Sequence, residues 1–268
     1  PPSLLLMAPD GHSGSRSPRR DAEAADTPAV AAAAEKSRPF CLTDLRDLQG
    51  AQRDDLLKQV YDELLMPHFP VEGELDDLED MSAGLDKADG RDPEYHIVVA
   101  RERDTDVLAG CACYEYYPTA DCCLMSYICV AADHRRKGVS QQLIRKMELQ
   151  LLARTIGRPV AAIFAETHES TVQDGIMDPL QRQEVLASLG FRCLDFAYTQ
   201  PPLNEREKPC GGLRLLVKDK ELVPSDAVIA YLDGFAGSVT GWDDSWKGEP
   251  YYQAQVKDLS TRPNVQAS

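Results

Sequence analysis

The feature that most restricts the fold of this chain is a succession of three strand-like segments with very short connections, followed at once by a basic, glycine-containing loop and a long amphipathic stretch. Residues 96–100, 107–117 and 124–130 carry the apolar, β-branched and aromatic pattern of strands, and the polar segments 101–106 and 118–121 between them read as turns. Turns this short join antiparallel neighbours, because a parallel pair needs a crossover of about a dozen residues or more. After the third strand comes Ala131-Ala132-Asp133-His134-Arg135-Arg136-Lys137-Gly138-Val139-Ser140. Val139, Leu143, Ile144, Met147 and Leu151 then recur as one apolar face of a helix.

Around this centre strand-like and helix-like stretches alternate, which predicts an α/β architecture of the α+β kind. Residues 40–44 are a short strand, and 51–66 form a helix with Leu56, Leu57, Val60, Tyr61, Leu64 and Leu65 on one side, expected to stop at Pro67. A strand at 160–166 leads through a polar segment to a helix ending Leu186-Ala187-Ser188-Leu189-Gly190-Phe191, with Gly190 as its terminator. Strands follow at 193–198 and 213–217. Beyond Pro224, Ser225 or Asp226 is placed to cap a last helix whose apolar side is Val228, Ile229, Leu232 and Phe235. Trp242, Trp246, Tyr251 and Tyr252 come after it, placed to dock on the core, cover a site or meet a partner chain.

The net charge of -15 repels phosphate backbones and anionic lipid, so no nucleic-acid partner is expected, and no apolar run is long enough for a membrane span. Residues 1–38 lack aromatic residues and sustained periodicity, and their charges cancel, so they read as a disordered leader. The acidic excess therefore belongs to the rest of the chain. Part of it is concentrated at Glu72, Glu74, Asp76, Asp77, Glu79 and Asp80, with Val71, Leu75 and Leu78 between them. This stretch is either a solvated helix face or a wall that attracts cations. The eight cysteines sit within apolar runs, without C-x-x-C spacing, and read as buried thiols in a reducing, cytoplasmic setting. A thiolate cluster of Cys111, Cys113, Cys122 and Cys123 is the alternative.

A loop that turns directly into a helix presents unpaired N–H groups and the positive end of the helix dipole, and here Arg135, Arg136 and Lys137 add charge at the same point. It reads as an anion site, with a surface charge run as the competing reading. The motif G-x-x-x-x-G-K-[ST] and the dinucleotide fingerprint G-x-G-x-x-G are both absent from it.

The segment from Tyr127 to Ser140 resembles the fourth strand and pyrophosphate loop of the GNAT superfamily of acyl-CoA-dependent N-acyltransferases, whose loop is written [QR]-x-x-G-x-[GA]. Arg135 and Gly138 match; Ser140 departs, although it is small. The order of elements and the tripeptide Leu189-Gly190-Phe191 extend the likeness over roughly residues 39–218. The resemblance implies a central mixed, mostly antiparallel sheet flanked by helices at 39–218, between the leader 1–38 and a helical extension at 219–268. It implies acetyl-CoA as co-substrate. The pyrophosphate would lie on Arg135, Arg136, Lys137, Gly138, Val139 and Ser140, and the pantetheine beside Ile128, Cys129 and Val130, with the Ile128 amide on the thioester carbonyl.

Better-known members of the family use a fourth-strand glutamate as base and a tyrosine four residues before the Gly-Phe pair as acid. Those positions here are Leu124 and Leu186, which carry no proton. Glu166 is the substitute expected as base, against a reading as a strand-end carboxylate that caps a turn. Tyr198 is the substitute expected as acid, against a half-buried strand aromatic. Tyr127 is a second phenol, His168 reads as a solvated loop imidazole, and Tyr114, Glu115, Tyr116 and Tyr117 are placed to line an acceptor groove. The expected activity is acetyl transfer to a primary amine of a cationic small molecule or peptide. The alternative is a non-catalytic acyl-CoA-binding module.

Overall fold

Period-two patterning resolves into a seven-stranded sheet of order β1-β2-β3-β4-β5-β7-β6. The computed structural model describes residues 39–70, 75–169, 178–203, 208–241 and 243–268. The leader 1–38, Glu72, Glu74, Val71 and Trp242 lie outside them. Strands β1 (Phe40–Asp44), β2 (Glu94–Glu102), β3 (Leu108–Tyr117) and β4 (Cys122–Val130) form the expected antiparallel meander; β2 and β4 extend beyond their sequence readings, β1 equals its reading and β3 starts one residue later. β5 (Ala162–His168) runs parallel to β4, and β7 (Leu213–Lys218) lies antiparallel between β5 and the short β6 (Phe191–Cys193). The sheet is thus mixed and mostly antiparallel.

One residue decides the shape of the middle of the sheet. Cys113 pairs with Tyr127 but Tyr114 pairs with Met125, so Ser126 is an extra residue on β4. Such a bulge bends its strand and reverses which face the later side chains occupy. Met125 accordingly belongs to one core face and Tyr127 to the other. Pairing of β4 with β5 stops at the same point: it covers Cys122–Met125 against Ala162–Ala165 only. Residues 126–130 and 166–168 are the two arms of a fork. Along an antiparallel edge every second amide points away from its partner strand, so β4 directs part of its backbone into this opening.

Helices cover both faces. On one, α3 (Val139–Arg154) and α4 (Pro179–Ser188) pack Leu143, Met147 and Leu186 against Val98, Ala112 and Ile128. On the other, α1 (Ala51–Val60) and α2 (Leu78–Leu85) cover Ile97, Cys111, Tyr127 and Cys129. α1 does not end before Pro67; a wide turn at Tyr61–Leu65, closed by Met66 N–H to the Tyr61 carbonyl, lets the backbone continue through Met66–His68. A proline has no N–H to place, and the wider turn relieves its ring of the usual clash.

The same face is completed over β5 and β7 by α5 (Ser225–Thr240) and α6 (Pro250–Leu259). Neither Ser225 nor Asp226 caps α5: Pro224 is its N-cap residue, and Ser225 is already inside the first turn and buried. Trp246 and Tyr252 are buried against this core, in edge contact at 4.8 Å. β8 (Leu222–Pro224) pairs with β9 (Asn264–Gln266), and Ser268 exchanges two backbone hydrogen bonds of 3.0 Å with Cys193. The strand expected at 193–198 is shorter than its pattern. The ladder ends at Cys193, Leu194 still donates to the Leu215 carbonyl of β7 at 2.9 Å and bridges Ala267, and the chain then crosses towards β5.

Candidate active site

The loop at 135–140, expected as an anion site, turns directly into α3. Arg136 and Gly138 both take positive φ, at 62° and 76°, and Gly138 is the N-cap residue of α3 with no side chain capping the terminus. The amides of the first turn therefore have no intrahelical acceptor. A Cβ at Gly138 would meet nothing nearer than the Gln141 Oε1 at 4.0 Å, so the face above it is open. Arg136 and Lys137 are exposed, whereas Arg135 is half-buried and its Nε has no hydrogen-bond partner among the described residues. Gly110 fixes where α3 begins: a Cβ there would lie 2.6 Å from the Cys129 carbonyl oxygen and 3.0 Å from Val139 Cγ1. A groove of about 420 Å³ starts at Gln141, follows Ile144, Arg145 and Glu148, and ends at Gly190 and Lys218. The donor set and the open approach fit a phosphate group.

Ile128, Cys129 and Val130 are buried on the free arm of β4 and lead into the loop. Opposite them, on β5, is Glu166, 2% exposed. It does not cap a turn. Tyr198 donates a hydrogen bond to Glu166 Oε1, and the Gln200 amide donates to Oε2 at 2.7 Å. Burial pushes the Glu166 carboxyl up to about 7; the two hydrogen bonds oppose the shift and the Glu115 carboxylate adds to it. Burial likewise holds the Tyr198 phenol well above its ordinary value, with the Glu166 charge adding. These two expected residues are brought together.

Tyr198 and Gln200 reach β5 because two other segments hold their loop. Gln200 and Cys210 exchange backbone hydrogen bonds of 2.9 and 3.0 Å, and Gln255 on α6 binds both sides of the Thr199 peptide, accepting at 2.9 Å and donating at 3.1 Å. The second carboxyl of the region is Glu115. It is half-buried, accepts from Tyr117 and from Ser126 Oγ at 3.1 Å, and is raised chiefly by burial.

Other expected positions fall elsewhere. Tyr114 and Tyr116 point to the α3 face, so only Glu115 and Tyr117 of that quartet share the Glu166 side. Tyr127 is buried under α1, in edge contact with Phe69 at 5.1 Å, and accepts from the Asp76 N–H at 3.3 Å. His168 is buried at the end of β5 rather than solvated, because β5 runs two residues past its sequence reading. Leu124 and Leu186 are fully buried core residues. Ser126, Gln200 and Tyr231 join the site without having been singled out. Cys111 and Cys129 are cross-strand partners with sulfurs 3.4 Å apart, and among the described residues no group of three or more His, Cys, Asp or Glu side chains is arranged for a metal ion.

Among solved structures the chain is similar to a GNAT family acetyltransferase from Elizabethkingia anophelis with acetyl-CoA bound, at 15% identity over 68% of this chain and 99% of that one (TM-score 0.43). It is also similar to the ribosomal-protein-S18-alanine N-acetyltransferase of Escherichia coli, at 12% identity over 67% and 92% (TM-score 0.40). A third is an aminoglycoside 6'-N-acetyltransferase complexed with coenzyme A, at 14% identity over 66% and 96% (TM-score 0.42). No curated protein matches the chain. The model of the acetyltransferase (GNAT) family matches residues 57–172, a span that runs from α1 through the loop to the end of β5. Residues 57–172 of this chain are a GNAT acetyltransferase domain.

Proposed function

We propose that this protein transfers an acetyl group from acetyl-CoA to a primary amine. The observation that carries the reading is the buried Glu166–Tyr198 pair set on one arm of a strand fork whose other arm runs into an uncapped, basic helix N-terminus. Acetyl-CoA brings an activated thioester. The loop amides at 136–140, the Arg135 Nε and the charges of Arg136 and Lys137 hold its pyrophosphate, and the Ile128 amide lies against the thioester carbonyl.

The proton chemistry belongs to the chain. Glu166, with a proton affinity matched to neutral pH, accepts the proton that an attacking amine must lose. Tyr198 gives its proton to the departing sulfur, and the hydrogen bond between the two side chains lets Glu166 return a proton to Tyr198. Base and acid are thereby both restored. Carboxylates at Glu115 and in the segment before α2, at Asp76 and Asp77, favour a cationic acceptor, a small molecule or a peptide amine. The protein acts in a reducing compartment, the cytoplasm, in keeping with its free thiols.

The test is calorimetric titration of acetyl-CoA into the full chain, with thiol release followed in the same sample against polyamines and lysine peptides. Gly138→Glu, which forces a side chain into a left-handed backbone position and sets a carboxylate against the pyrophosphate, is expected to remove binding. Unchanged affinity in that variant would reject the loop assignment. The buried leucines at positions 124 and 186 favour one second reading, a non-catalytic acyl-CoA-binding module. Binding without any thioester turnover would establish it.

A further inference from the structure

The C-terminal segment beyond residue 218 lies outside the family match, yet it delivers a polar group to the site. Tyr231 sits in the apolar stripe of α5 with Val228, Leu232 and Phe235, and its side chain is fully buried. Its ring lies 4.6 Å from that of Phe164, two positions before Glu166 on the same face of β5, and is stacked on Phe235 at 5.8 Å. α5 comes this close to the sheet because Gly234 faces Tyr117: a Cβ there would be 3.0 Å from the Tyr117 ring.

The hydroxyl so placed is next to Glu166 and Tyr198 and affects the proton affinity of both. It lies within hydrogen-bonding reach of both, yet neither bond has good geometry, so the hydroxyl has no well-made partner among the described residues. A buried hydroxyl without a partner is costly and uncommon in native proteins. Tyr198 and Gln200 already occupy one oxygen each of Glu166. Each carboxylate oxygen has a second lone pair, which becomes a strong acceptor only when the group is ionised.

We propose that Tyr231 is a positioning residue whose hydroxyl is reserved for the ionised form of Glu166, so that α5 helps set the protonation state of the site. This rests on the reading of Glu166 as the base for its bearing on catalysis, but not for its test. The other ionisable groups around Glu166 are Glu115 and Tyr117 on β3, Cys122 on β4, His168 on β5, and Tyr198 on the loop before β7. None of these lies on α5. Tyr231→Phe removes one hydroxyl and no other polar group, and leaves them in place.

The experiment is a pH titration of the Glu166 carboxyl in the full chain without acetyl-CoA, read by the infrared band of the protonated acid and assigned by its loss in Glu166→Gln. Removing a donor to the charged form makes ionisation harder, so Tyr231→Phe is expected to raise the midpoint by roughly one to two pH units. Tyr231→Met, which removes the same hydroxyl and leaves Gly234 against Tyr117, is expected to raise it likewise, and it serves if Tyr231→Phe does not fold. A merely structural role for Tyr231 would lower the melting temperature and leave the midpoint where it is; an unmoved or lowered midpoint in either folded variant overturns the proposal. Absence of acetyl transfer in the wild type, with the midpoint shift present, would reject the functional reading and leave this one standing.

Discussion

A single carboxyl group, Glu166, joins the proposed chemistry of this protein to its stability. Its proton affinity is raised above that of an ordinary glutamate, so between the ordinary value and about 7 the folded chain holds a proton that the unfolded chain releases. Stability from this group is fully present below the ordinary carboxylate range and is lost as pH rises through about 7. Glu166→Gln cannot titrate. The stability of the wild type relative to this variant is therefore expected to fall by up to about 3 kcal/mol between pH 4 and pH 8, measured by urea unfolding. A difference that grows with pH would reject the assignment. In turnover the proposed role of Glu166 as base gives the opposite sign, because only the ionised form accepts a proton. The wild-type rate is expected to rise through pH 7, and Glu166→Gln to lose about a hundred-fold or more in kcat together with that inflection. Glu166 was legible in the sequence as a carboxylate at the end of a strand. Its partner Gln200 was not, since nothing in a polar residue before two prolines signals a contact with a strand more than thirty positions earlier.

At the level of elements, the loop and helix α3 were written plainly in the chain, because a basic run, one glycine and a 3.6-residue period are all local signals. The fork was not. It depends on Ser126 being the extra residue of β4, and a bulge follows from the pairing of two strands and cannot be read from one. The strand expected at 193–198 is cut short for the same reason: the pattern alternates, but the ladder with β7 covers Phe191–Cys193 and its last hydrogen bond is from Leu194. What holds the continuing loop is α6, through the two hydrogen bonds of Gln255 to the Thr199 peptide. Gln255→Ala removes both of those partners from the half-buried Thr199 peptide and frees Tyr198 to swing. The expected result is a loss of about 1–3 kcal/mol by chemical denaturation and a fall in kcat of about ten-fold or more, with acetyl-CoA affinity unchanged. Unaltered kcat would separate the loop from the chemistry.

For the molecule as a whole, the two ends of the chain after the loop close one core. Phe164, Leu213, Leu215 and Val217 face α5 and α6, and the last residue is hydrogen-bonded to Cys193. A chain cut after Lys218 exposes that apolar face of β5 and β7 and is expected to be recovered as aggregate, read by the soluble fraction and by light scattering. A monomeric, cooperatively unfolding product would show that the first 218 residues suffice. The sequence by itself determined the order of the elements, the antiparallel meander, the basic loop before α3 and the acidic balance, because periodicity, turn length and charge are properties of neighbouring residues. Only the tertiary structure decided which carboxyl meets which phenol, where the sheet opens, and that a tyrosine from the last helices stands beside Glu166. Those outcomes rest on strand register and on close packing at Gly110 and Gly234, and both depend on residues far apart in the chain.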